Sequence, residues 1–323
     1  MMAKSKKKKV SKPHIIALRK IWDQSLHNAL TDLIDFQGRF FCVFRESDSH
    51  AAGVDGTIRI LTSANGEQWI TASILQLKGI DLRDPHFGLM PDGRLYLIMG
   101  GSIYQGEKLI AYRSYATFSK DGVHWDPIQS TGIEEEWIWR VTWHKGIGYG
   151  ISYHLTDLED LDQPWEVKLF KTQDGIHFQL VSQLDVSSFP SESTLRFLSN
   201  DTMVALMRRD GNGWIGHALP PYKKWKWKES DYRIGGPNFL VFPNDQMWSA
   251  ARLVKEIDKE TKERTTVLAS MTLKDFQPML VFPSGGDNSY PGMVFREGKL
   301  YVSYYSSHEE KSAIYFAEVS FTK

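Results

Sequence analysis

Residues 91–99 read Pro91-Asp-Gly-Arg-Leu-Tyr-Leu-Ile-Met, a tight polar turn followed at once by an apolar, aromatic run. The same pattern occurs six times in the 323 residues. A repeating unit of about 50 residues that is rich in strand-forming side chains predicts an all-β fold, a six-bladed β-propeller of four-stranded antiparallel blades. The residues at the corners of the six turns are separated by 55, 53, 55, 44 and 53 positions, and they are Gly38, Gly93, Gly146, Asp201, Asp245 and Gly298.

The period also divides the chain. The sixth unit ends before its outer strand, so we expect the β-like N-terminal segment His14–Ile21 to supply that strand and close the ring. Residues 1–12 carry the basic run Lys4–Lys9 and are predicted to be a disordered tail, whereas 13–323 are predicted to form a single domain. The expected blades are 23–77, 78–133, 134–186, 187–233, 234–285, and 286–323 together with 13–22.

Composition excludes several classes of function. Thirty-nine basic and 39 acidic residues give no net charge, so no nucleic-acid partner is expected. No apolar run reaches the ~18 residues of a membrane span, and no apolar region follows the basic N-terminus. A cytoplasmic location is therefore expected, with a mature secreted form left open. Cys42 is the only cysteine and the histidines lack metal-ligand spacing, so neither a metal site nor a cofactor is predicted, and the oligomeric state stays open.

A second repeat lies out of phase with the first and has the form Ser/Thr-x-Asp/Asn-Gly-x-x-aromatic. It occurs as Ser63–Trp69, Ser119–Trp125 and Thr172–Phe178. The Asp or Asn side chain can bond to backbone two residues on, and the glycine can adopt a positive φ. The three motifs resemble Asp boxes, the structural turns between the outer strands of sialidase-type propellers.

Polar residues are concentrated where a propeller has its axis. The inner strand of each blade is predicted to precede the six turns, and these strands are unusually polar for β-structure. Unpaired charges are costly to bury for packing alone, so the set predicts a functional funnel. The candidates on inner strands are Asp32, Arg83, Asp84, Arg140, Glu192 and Tyr290, joined by Arg45, Arg208 or Arg209, and Arg252 on second strands.

Over residues 23–319 the chain resembles the sialidase-like superfamily of six-bladed propellers. Ser191-Glu-Ser-Thr followed by Ala205-Leu-Met-Arg-Arg is similar to the family's fourth blade, which implies that Glu192 is a base and Arg208 a substrate clamp. Ala250-Ala-Arg252 is similar to the next arginine of the family's triad. Ser289-Tyr-Pro291 resembles the segment that holds the tyrosine nucleophile, which implies that role for Tyr290.

The resemblance is less complete in the first blade. Phe44-Arg-Glu-Ser-Asp48-Ser-His50 resembles the segment with an arginine, Arg45, followed by the acid/base aspartate, which would be Asp48, with Asp55 as the other candidate. The first arginine of the triad has no counterpart in His27–Asp32. Arg83 and Asp84 are expected to hold the substrate from blade 2.

The resemblance implies a glycoside hydrolase that removes a terminal, acidic sugar from a glycan. A neutral tyrosine activated by a glutamate avoids the repulsion between an attacking carboxylate and an anionic anomeric centre. Arginines would bind the substrate carboxylate, and an acid would protonate the leaving oxygen.

Two alternatives remain. Leu82-Arg-Asp-Pro85 resembles a stretch of fructosidase-type glycosidases, in which a carboxylate pair drawn from Asp32, Asp84 and Glu192 would carry the reaction. A non-catalytic propeller that binds glycans or proteins could instead use Trp137, Trp139 and Trp143 as a stacking platform, although the three are as well explained by packing between blades.

Overall fold

The computed structural model describes residues 12–160, 162–258 and 261–322. These residues form 24 strands in six antiparallel four-stranded sheets arranged as the blades of a propeller, without helices in the described ranges. The first strand, β1 (Lys12–Trp22), belongs to the last blade. The predicted all-β, six-bladed class is thus confirmed. Of the tail predicted over 1–12, residues 1–11 lie outside the described residues, and Lys12 is the first residue of β1.

Each of the first three blades is one continuous stretch of chain. Blade 1 consists of β2 (His27–Phe36), β3 (Arg39–Ser47), β4 (Thr57–Ser63) and β5 (Ile70–Leu75). Blade 2 consists of β6 (Asp81–Leu89), β7 (Leu95–Gln105), β8 (Lys108–Ser119) and β9 (Gln129–Glu134). Blade 3 consists of β10 (Trp137–His144), β11 (Ile147–His154), β12 (Glu166–Thr172) and β13 (Phe178–Leu184).

The last three blades complete the ring. Blade 4 consists of β14 (Ser193–Phe197), β15 (Met203–Met207), β16 (Trp214–Ala218) and β17 (Trp225–Glu229). Blade 5 consists of β18 (Arg233–Val241), β19 (Met247–Glu256), β20 (Lys262–Met271) and β21 (Phe276–Val281). Blade 6 consists of β22 (Asn288–Arg296), β23 (Lys299–Ser306), β24 (Ala313–Thr322) and the N-terminal β1.

The N-terminal strand closes the ring, as predicted. β1 pairs antiparallel with β24, from Lys12 opposite Thr322 to Trp22 opposite Ile314. This pairing gives blade 6 its fourth strand and covers an edge of β24 that would otherwise be open to pairing with another chain. The two ends of the described chain are therefore held in one sheet.

The six inner hairpin turns show why glycine and aspartate recur at their corners. All six corner residues have positive φ, from 59° at Asp245 to 84° at Gly93. Glycine adopts this conformation without steric cost, and aspartate tolerates it better than most residues. The residue type at each corner is therefore restricted by the positive φ of an inner hairpin turn. Because each blade has one such turn, the spacing of these residues predicts the blades.

The three outer turns join third and fourth strands and also connect neighbouring blades. In the second of them, the Ser119 hydroxyl accepts the Gly122 N–H at 2.8 Å, and the Asp121 carboxylate accepts two further backbone N–H groups. A Cβ on Gly122 would lie 2.5 Å from the ring of Phe41 in blade 1. The third turn makes the equivalent contact, because Gly175 packs on Tyr96 of blade 2 and accepts its hydroxyl at 2.9 Å.

The inner strands surround the axis, and most of them carry a bulge. Pairing with the second strand is interrupted in β2, β6, β10, β18 and β22. Positive φ occurs within four of these interruptions, at Leu30, Asp84, Gly236 and the pair Ser289–Tyr290. A bulge inserts an extra residue and re-aims the side chain it carries. Asp84 and Tyr290 therefore occupy equivalent, bulged positions of blades 2 and 6.

Candidate active site

The centre of the candidate site is a hydrogen bond between Tyr290 and Glu192. The buried Tyr290 hydroxyl donates to Oε1 of Glu192, and Arg208 donates to the same oxygen at 2.5 Å. Oε2 of Glu192 accepts the backbone N–H of Gly236 at 2.6 Å. Three blades thus converge on one carboxylate, which the sequence places 98 residues from the tyrosine.

The backbone around this pair is shaped to admit the tyrosine ring. Tyr290 has a φ of 49° and Ser289 a φ of 102°. Gly236 faces the ring so closely that a Cβ there would lie 2.8 Å from Cδ2 of Tyr290. Non-glycine residues at positive φ are strained and are concentrated at functional sites. The absence of a side chain at Gly236 is a requirement of this arrangement.

The electrostatics of the pair set which partner carries the proton. Burial tends to raise the pKa of Glu192, but the neighbouring Arg208 and Arg252 and the hydrogen bonds from Tyr290 and Gly236 bring it below its usual value. Burial, assisted by the charge of Glu192, raises the pKa of Tyr290 well above its usual value. The ground state is therefore a protonated phenol that donates to an ionised carboxylate, which is the pairing that a base-activated nucleophile needs.

Asp84 lies beside this pair, and its pKa is raised where that of Glu192 is lowered. Burial raises its pKa to about 7, opposed by Arg83 and reinforced by the charge of Glu192. Among the described residues no hydrogen bond to its carboxylate is formed, although the residue is only 7% exposed. Its charge in turn contributes to the raised pKa of Tyr290, so the two side chains are close. Two carboxyl groups with pKa values pushed apart are typical of an acid and a base in one site.

Two further arginines line the funnel. Arg83 donates to the carbonyl of His50 at 2.7 Å and to Asp81 at 3.1 Å. Arg252 donates to the carbonyl of Asn288 at 3.0 Å, and its guanidinium lies over the Tyr290 ring, 5.9 Å from the centroid. Arg209, the other residue predicted for the role of Arg208, has different partners. Arg209 packs on Trp214 at 4.0 Å and donates to the carbonyl of Ser187, away from Glu192.

Arg45, which was predicted to bind substrate, lies in a buried ion pair between two blades. Its side chain is fully buried and donates to Asp81 at 2.7 Å and to the carbonyl of Ser49 at 2.8 Å. The reason is that Asp81 of the next blade supplies a countercharge at the end of β3. Arg45 therefore joins blades 1 and 2 as a buried ion pair.

Asp32 and Arg140, which were also predicted to contact substrate, pair with each other. Arg140 donates to both oxygens of Asp32, at 2.7 and 3.1 Å, and Asp32 also accepts the N–H of Phe87. Arg140 makes a further contact of 3.0 Å with His86, and all three side chains are almost completely buried. They form an axial network (Asp32, His86, Arg140) that ties three blades together. Asp32 and His86 directly follow the bulges of β2 and β6, and Arg140 lies within that of β10. No oxygen of Asp32 is left for a substrate.

Asp48 has surroundings that do not suit a general acid. It is exposed, and its Oδ1 accepts the N–H of Val54 at 2.9 Å and the hydroxyl of Ser47 at 3.2 Å. The Val54 bond holds the pKa of Asp48 below its usual value. The carboxylate therefore stabilises its own loop. Asp55, the other candidate, lies exposed on the same loop.

The tryptophans of β10 do not form an exposed platform. The ring centroids of Trp137 and Tyr153 lie 6.0 Å apart, those of Trp139 and Tyr290 5.3 Å apart, and both tryptophans are buried. Trp143 is half-buried, with its ring edge-on to that of Tyr96 at 6.2 Å. This favours the packing interpretation. Tyr153, which the sequence reasoning missed, lies close enough for the charges of Asp84 and Glu192 to act on it and help raise its pKa.

A second group missed in the sequence lies at the edge of the funnel. His27 and His50 both face Oδ2 of Asp287, at 3.4 and 3.0 Å. Oδ1 of Asp287 accepts the hydroxyl of Tyr305 at 2.8 Å. We call this the His–Asp–His cluster (His27, His50, Asp287). Its members come from three segments, so no local spacing could reveal it.

Comparisons with known proteins support the fold. No family model and no curated protein sequence matches the chain. It is similar to a structure of a Dyadobacter fermentans protein of unknown function, with 14% identity, a TM-score of 0.82, and coverage of 96% of this chain and 99% of that one. Trypanosoma rangeli sialidase in complex with sialic acid is 11% identical with a TM-score of 0.71, and covers 98% of this chain.

The chain spans only 57% of the length of that sialidase. Bacteroides ovatus xyloglucan PUL GH43B is 12% identical, with a TM-score of 0.51 and coverage of 92% of this chain and 71% of that one. At such identities these likenesses establish the propeller architecture. The described residues include no helix long and apolar enough to cross a membrane.

Proposed function

We propose that the protein is a glycoside hydrolase that removes a terminal sugar from a glycan, with Tyr290 as nucleophile and Glu192 as its base. The observation that carries the proposal is the buried hydrogen bond from the Tyr290 phenol to an ionised Glu192. A module that only binds glycans has no need for a base aimed at a buried phenol. The fold is similar to that of a sialidase, but a shared fold does not establish a shared activity, so the proposal rests on the site.

The first step forms a bond between the Tyr290 oxygen and the anomeric carbon while the glycosidic bond breaks. The phenol proton passes to Glu192, and an acid donates a proton to the leaving oxygen, so that the aglycone departs as an alcohol. In the second step water attacks the anomeric carbon, gives its proton to the conjugate base of that acid, and the tyrosine recovers its proton from Glu192. The net reaction consumes one water and yields two hydroxyl groups.

We assign the acid role to Asp84 in place of Asp48. Its pKa of about 7 keeps it protonated for much of the neutral range, and no described group accepts or donates a hydrogen bond at its carboxyl. An acid with a pKa near the working pH transfers protons efficiently in both directions. Asp48, by contrast, is ionised and used by its loop.

The predicted acidic character of the sugar remains part of the proposal. Arg83, Arg208 and Arg252 all line the funnel and could donate to a substrate carboxylate. Each also lies beside a carboxylate of the protein, namely Asp81, Glu192 and Asp287. Selection for an acidic sugar therefore depends on how far those carboxylates offset the arginines.

A second candidate keeps glycoside hydrolysis and replaces the nucleophile. The split pKa values of Asp84 and Glu192 also suit a carboxylate-pair mechanism, in which Glu192 attacks or activates water and Asp84 is the acid. Asp32 has no part in this version, because Arg140 occupies it.

Hydrolysis of a panel of aryl sialosides, uronides, fructosides and arabinosides tests both versions. The wild type is compared with Tyr290→Phe and Asp84→Asn on each substrate. Release from an acidic sugar that is lost in Tyr290→Phe supports the tyrosine mechanism. Release that survives in Tyr290→Phe but is slowed in Asp84→Asn moves the protein to the carboxylate pair. If no glycoside of the panel is cleaved by the wild type, both versions are contradicted.

A further inference from the structure

The His–Asp–His cluster has the composition of a transition-metal site. Two imidazole nitrogens and one carboxylate oxygen of His27, His50 and Asp287 all lie within 4.8 Å of one another. Nitrogen and oxygen ligands of this kind suit Zn²⁺, and three protein ligands leave a position open for water or substrate. The cluster is not part of the tyrosine machinery described above.

Two of its distances match a tetrahedral centre. Ligand atoms about 2.0–2.1 Å from a tetrahedral Zn²⁺ lie about 3.3 Å from one another. Nε2 of His27 and Nδ1 of His50 lie 3.4 and 3.0 Å from Oδ2 of Asp287. A metal held between them needs only small side-chain movements, and His50, on an exposed loop, can make them most easily.

The protein alone satisfies His27 poorly. Its Nδ1 is buried without a hydrogen-bond partner, and its other nitrogen makes only the long contact of 3.4 Å with Asp287. Hydrogen bonds of this type are usually 2.7–3.2 Å long. A metal ion on Nε2 would replace that weak contact with a coordinate bond.

The surroundings orient the other two ligands. Tyr305 donates to Oδ1 of Asp287 at 2.8 Å, which leaves Oδ2 to face the imidazoles. Arg83 donates to the carbonyl of His50 at 2.7 Å and so fixes the loop that carries it. Metal-binding carboxylates are commonly held by a second hydrogen bond of this kind.

We propose that His27, His50 and Asp287 bind a divalent transition metal of the Zn²⁺ class at the edge of the funnel, with an open position directed to solvent. The metal would lie near Arg252, which is 3.7 Å from Oδ1 of Asp287. The open position of the metal could bind an oxygen atom of a sugar, a contact that no arginine of blade 1 provides. The proposal concerns binding alone and does not depend on the identity of the nucleophile.

Titration of the untagged, metal-stripped full chain with Zn²⁺ by calorimetry tests it, together with the visible spectrum after Co²⁺ is added. We expect one tight site per chain and the strong Co²⁺ absorption of four or five ligands. His50→Gln and Asp287→Asn should each weaken Zn²⁺ binding by at least tenfold. Tyr305→Phe, which removes only the bond that orients Asp287, should weaken it about tenfold.

Surface histidines supply matched controls. His124 and His177 each lie 2.7 Å from an aspartate, but on exposed turns and without a third ligand. His124→Ala and His177→Ala should leave the tight site unchanged. Equal loss in these controls, affinity that persists in both His50→Gln and Asp287→Asn, or the weak six-ligand Co²⁺ spectrum would each overturn the proposal. Because His50 is exposed, its variant is expected to keep the wild-type melting temperature without metal.

Discussion

The axial network and the funnel each hold a buried carboxyl group, Asp32 and Asp84, and these two differ in how completely they are paired. In the axial network every oxygen of Asp32 has a partner among Arg140 and the Phe87 N–H. In the funnel, the carboxyl group of Asp84 has no hydrogen bond among the described residues, whereas both oxygens of Glu192 are partnered, by Arg208, Tyr290 and the Gly236 N–H. A carboxylate with partners on both oxygens stabilises the ring of blades, whereas a buried carboxyl group without partners can exchange protons with a substrate.

The bulges explain why the two groups differ. At the bulges themselves, the backbone turns Asp84 and Tyr290 toward the funnel at positive φ. Below them, Asp32 and His86 point at the axis, where burial and the charge of Arg140 hold the pKa of His86 well below its usual value. Irregular pairing in five of the six inner strands thus separates a layer for chemistry from a layer for packing.

The largest expected effect comes from Tyr290→Phe. Removal of the phenol should lower turnover on the true substrate by on the order of 10³-fold, because the nucleophile is lost while the ring still fills its place. Steady-state rates and thermal melting of the variant measure the two effects. Tyr304→Phe is the control, since this buried tyrosine donates only to the Pro283 carbonyl and should keep its rate. Wild-type turnover in Tyr290→Phe would remove the tyrosine from the mechanism.

The axial network should respond in stability and not in turnover. Asp32→Asn leaves Arg140 buried without its countercharge, which should lower the free energy of unfolding by about 3–5 kcal/mol. Denaturant titration measures this loss. Asp35→Asn, on the same strand but in a surface pair with Arg296, should cost less than about 1 kcal/mol. If folded Asp32→Asn lost turnover as Tyr290→Phe does, the distinction between the two layers would be wrong.

Asp84→Asn should separate activity from stability. We expect turnover to fall by about 10²-fold on substrates with poor leaving groups, and less on activated aryl glycosides that need no acid. Above pH 7 the variant should melt at a higher temperature than the wild type, because it no longer buries a charge there. Melting curves at pH 8 and rates on the two substrate types check this, and equal rate losses on both types would argue against an acid role.

The pH dependence follows from the same group. The pKa of Asp84 rises from 3.8 to about 7 on folding, so its stabilising effect is complete below pH about 4 and is lost as the pH rises through about 7. Activity should fall above pH about 7, as the acid ionises. The charges that act on the pKa of Asp84 are those of Arg83, His50 and Arg45, which lower it, and of Glu192, which raises it. The fall in activity is measured as kcat/KM against pH, and it should disappear in Asp84→Asn.

The smallest effect is expected from Gly236→Ala. The added Cβ would lie 2.8 Å from the Tyr290 ring, at a φ of 54° that alanine adopts with strain. We expect about a tenfold loss of turnover and a modest loss of stability, of about 1 kcal/mol. Gly211→Ala, at positive φ but with no atom near the new Cβ, is the control for strain alone. Equal effects in both variants would show that the ring contact is unimportant.

The architecture could be predicted from the sequence because a turn with positive φ at its corner recurs once per blade. Few residue types fit such a corner, as Gly93 and Asp245 show. The sequence also indicated that Glu192 and Tyr290 belong together, and the structure places them in contact. It could not show that Arg45 meets Asp81 or that Asp32 meets Arg140, since partners in other blades decide whether a charge is free. His27, His50 and Asp287 were missed for the same reason, because only the closed ring brings them together.

The bulges were also invisible in the pattern of residues. Alternation along a strand predicts which side chains share a face, and an extra residue reverses the assignment. This is why Asp84, predicted to hold the substrate or to belong to a carboxylate pair, has the surroundings of an acid.

The most direct test of the central claim is to trap the covalent intermediate. The chain is mixed with a slowly released glycoside of the sugar that the hydrolysis panel identifies, quenched in acid, digested and analysed by mass spectrometry. The account predicts one glycosyl group on the peptide that contains Tyr290, and no adduct in Tyr290→Phe. An adduct on Glu192 or Asp84, or turnover with inversion at the anomeric carbon and no adduct at all, would contradict it.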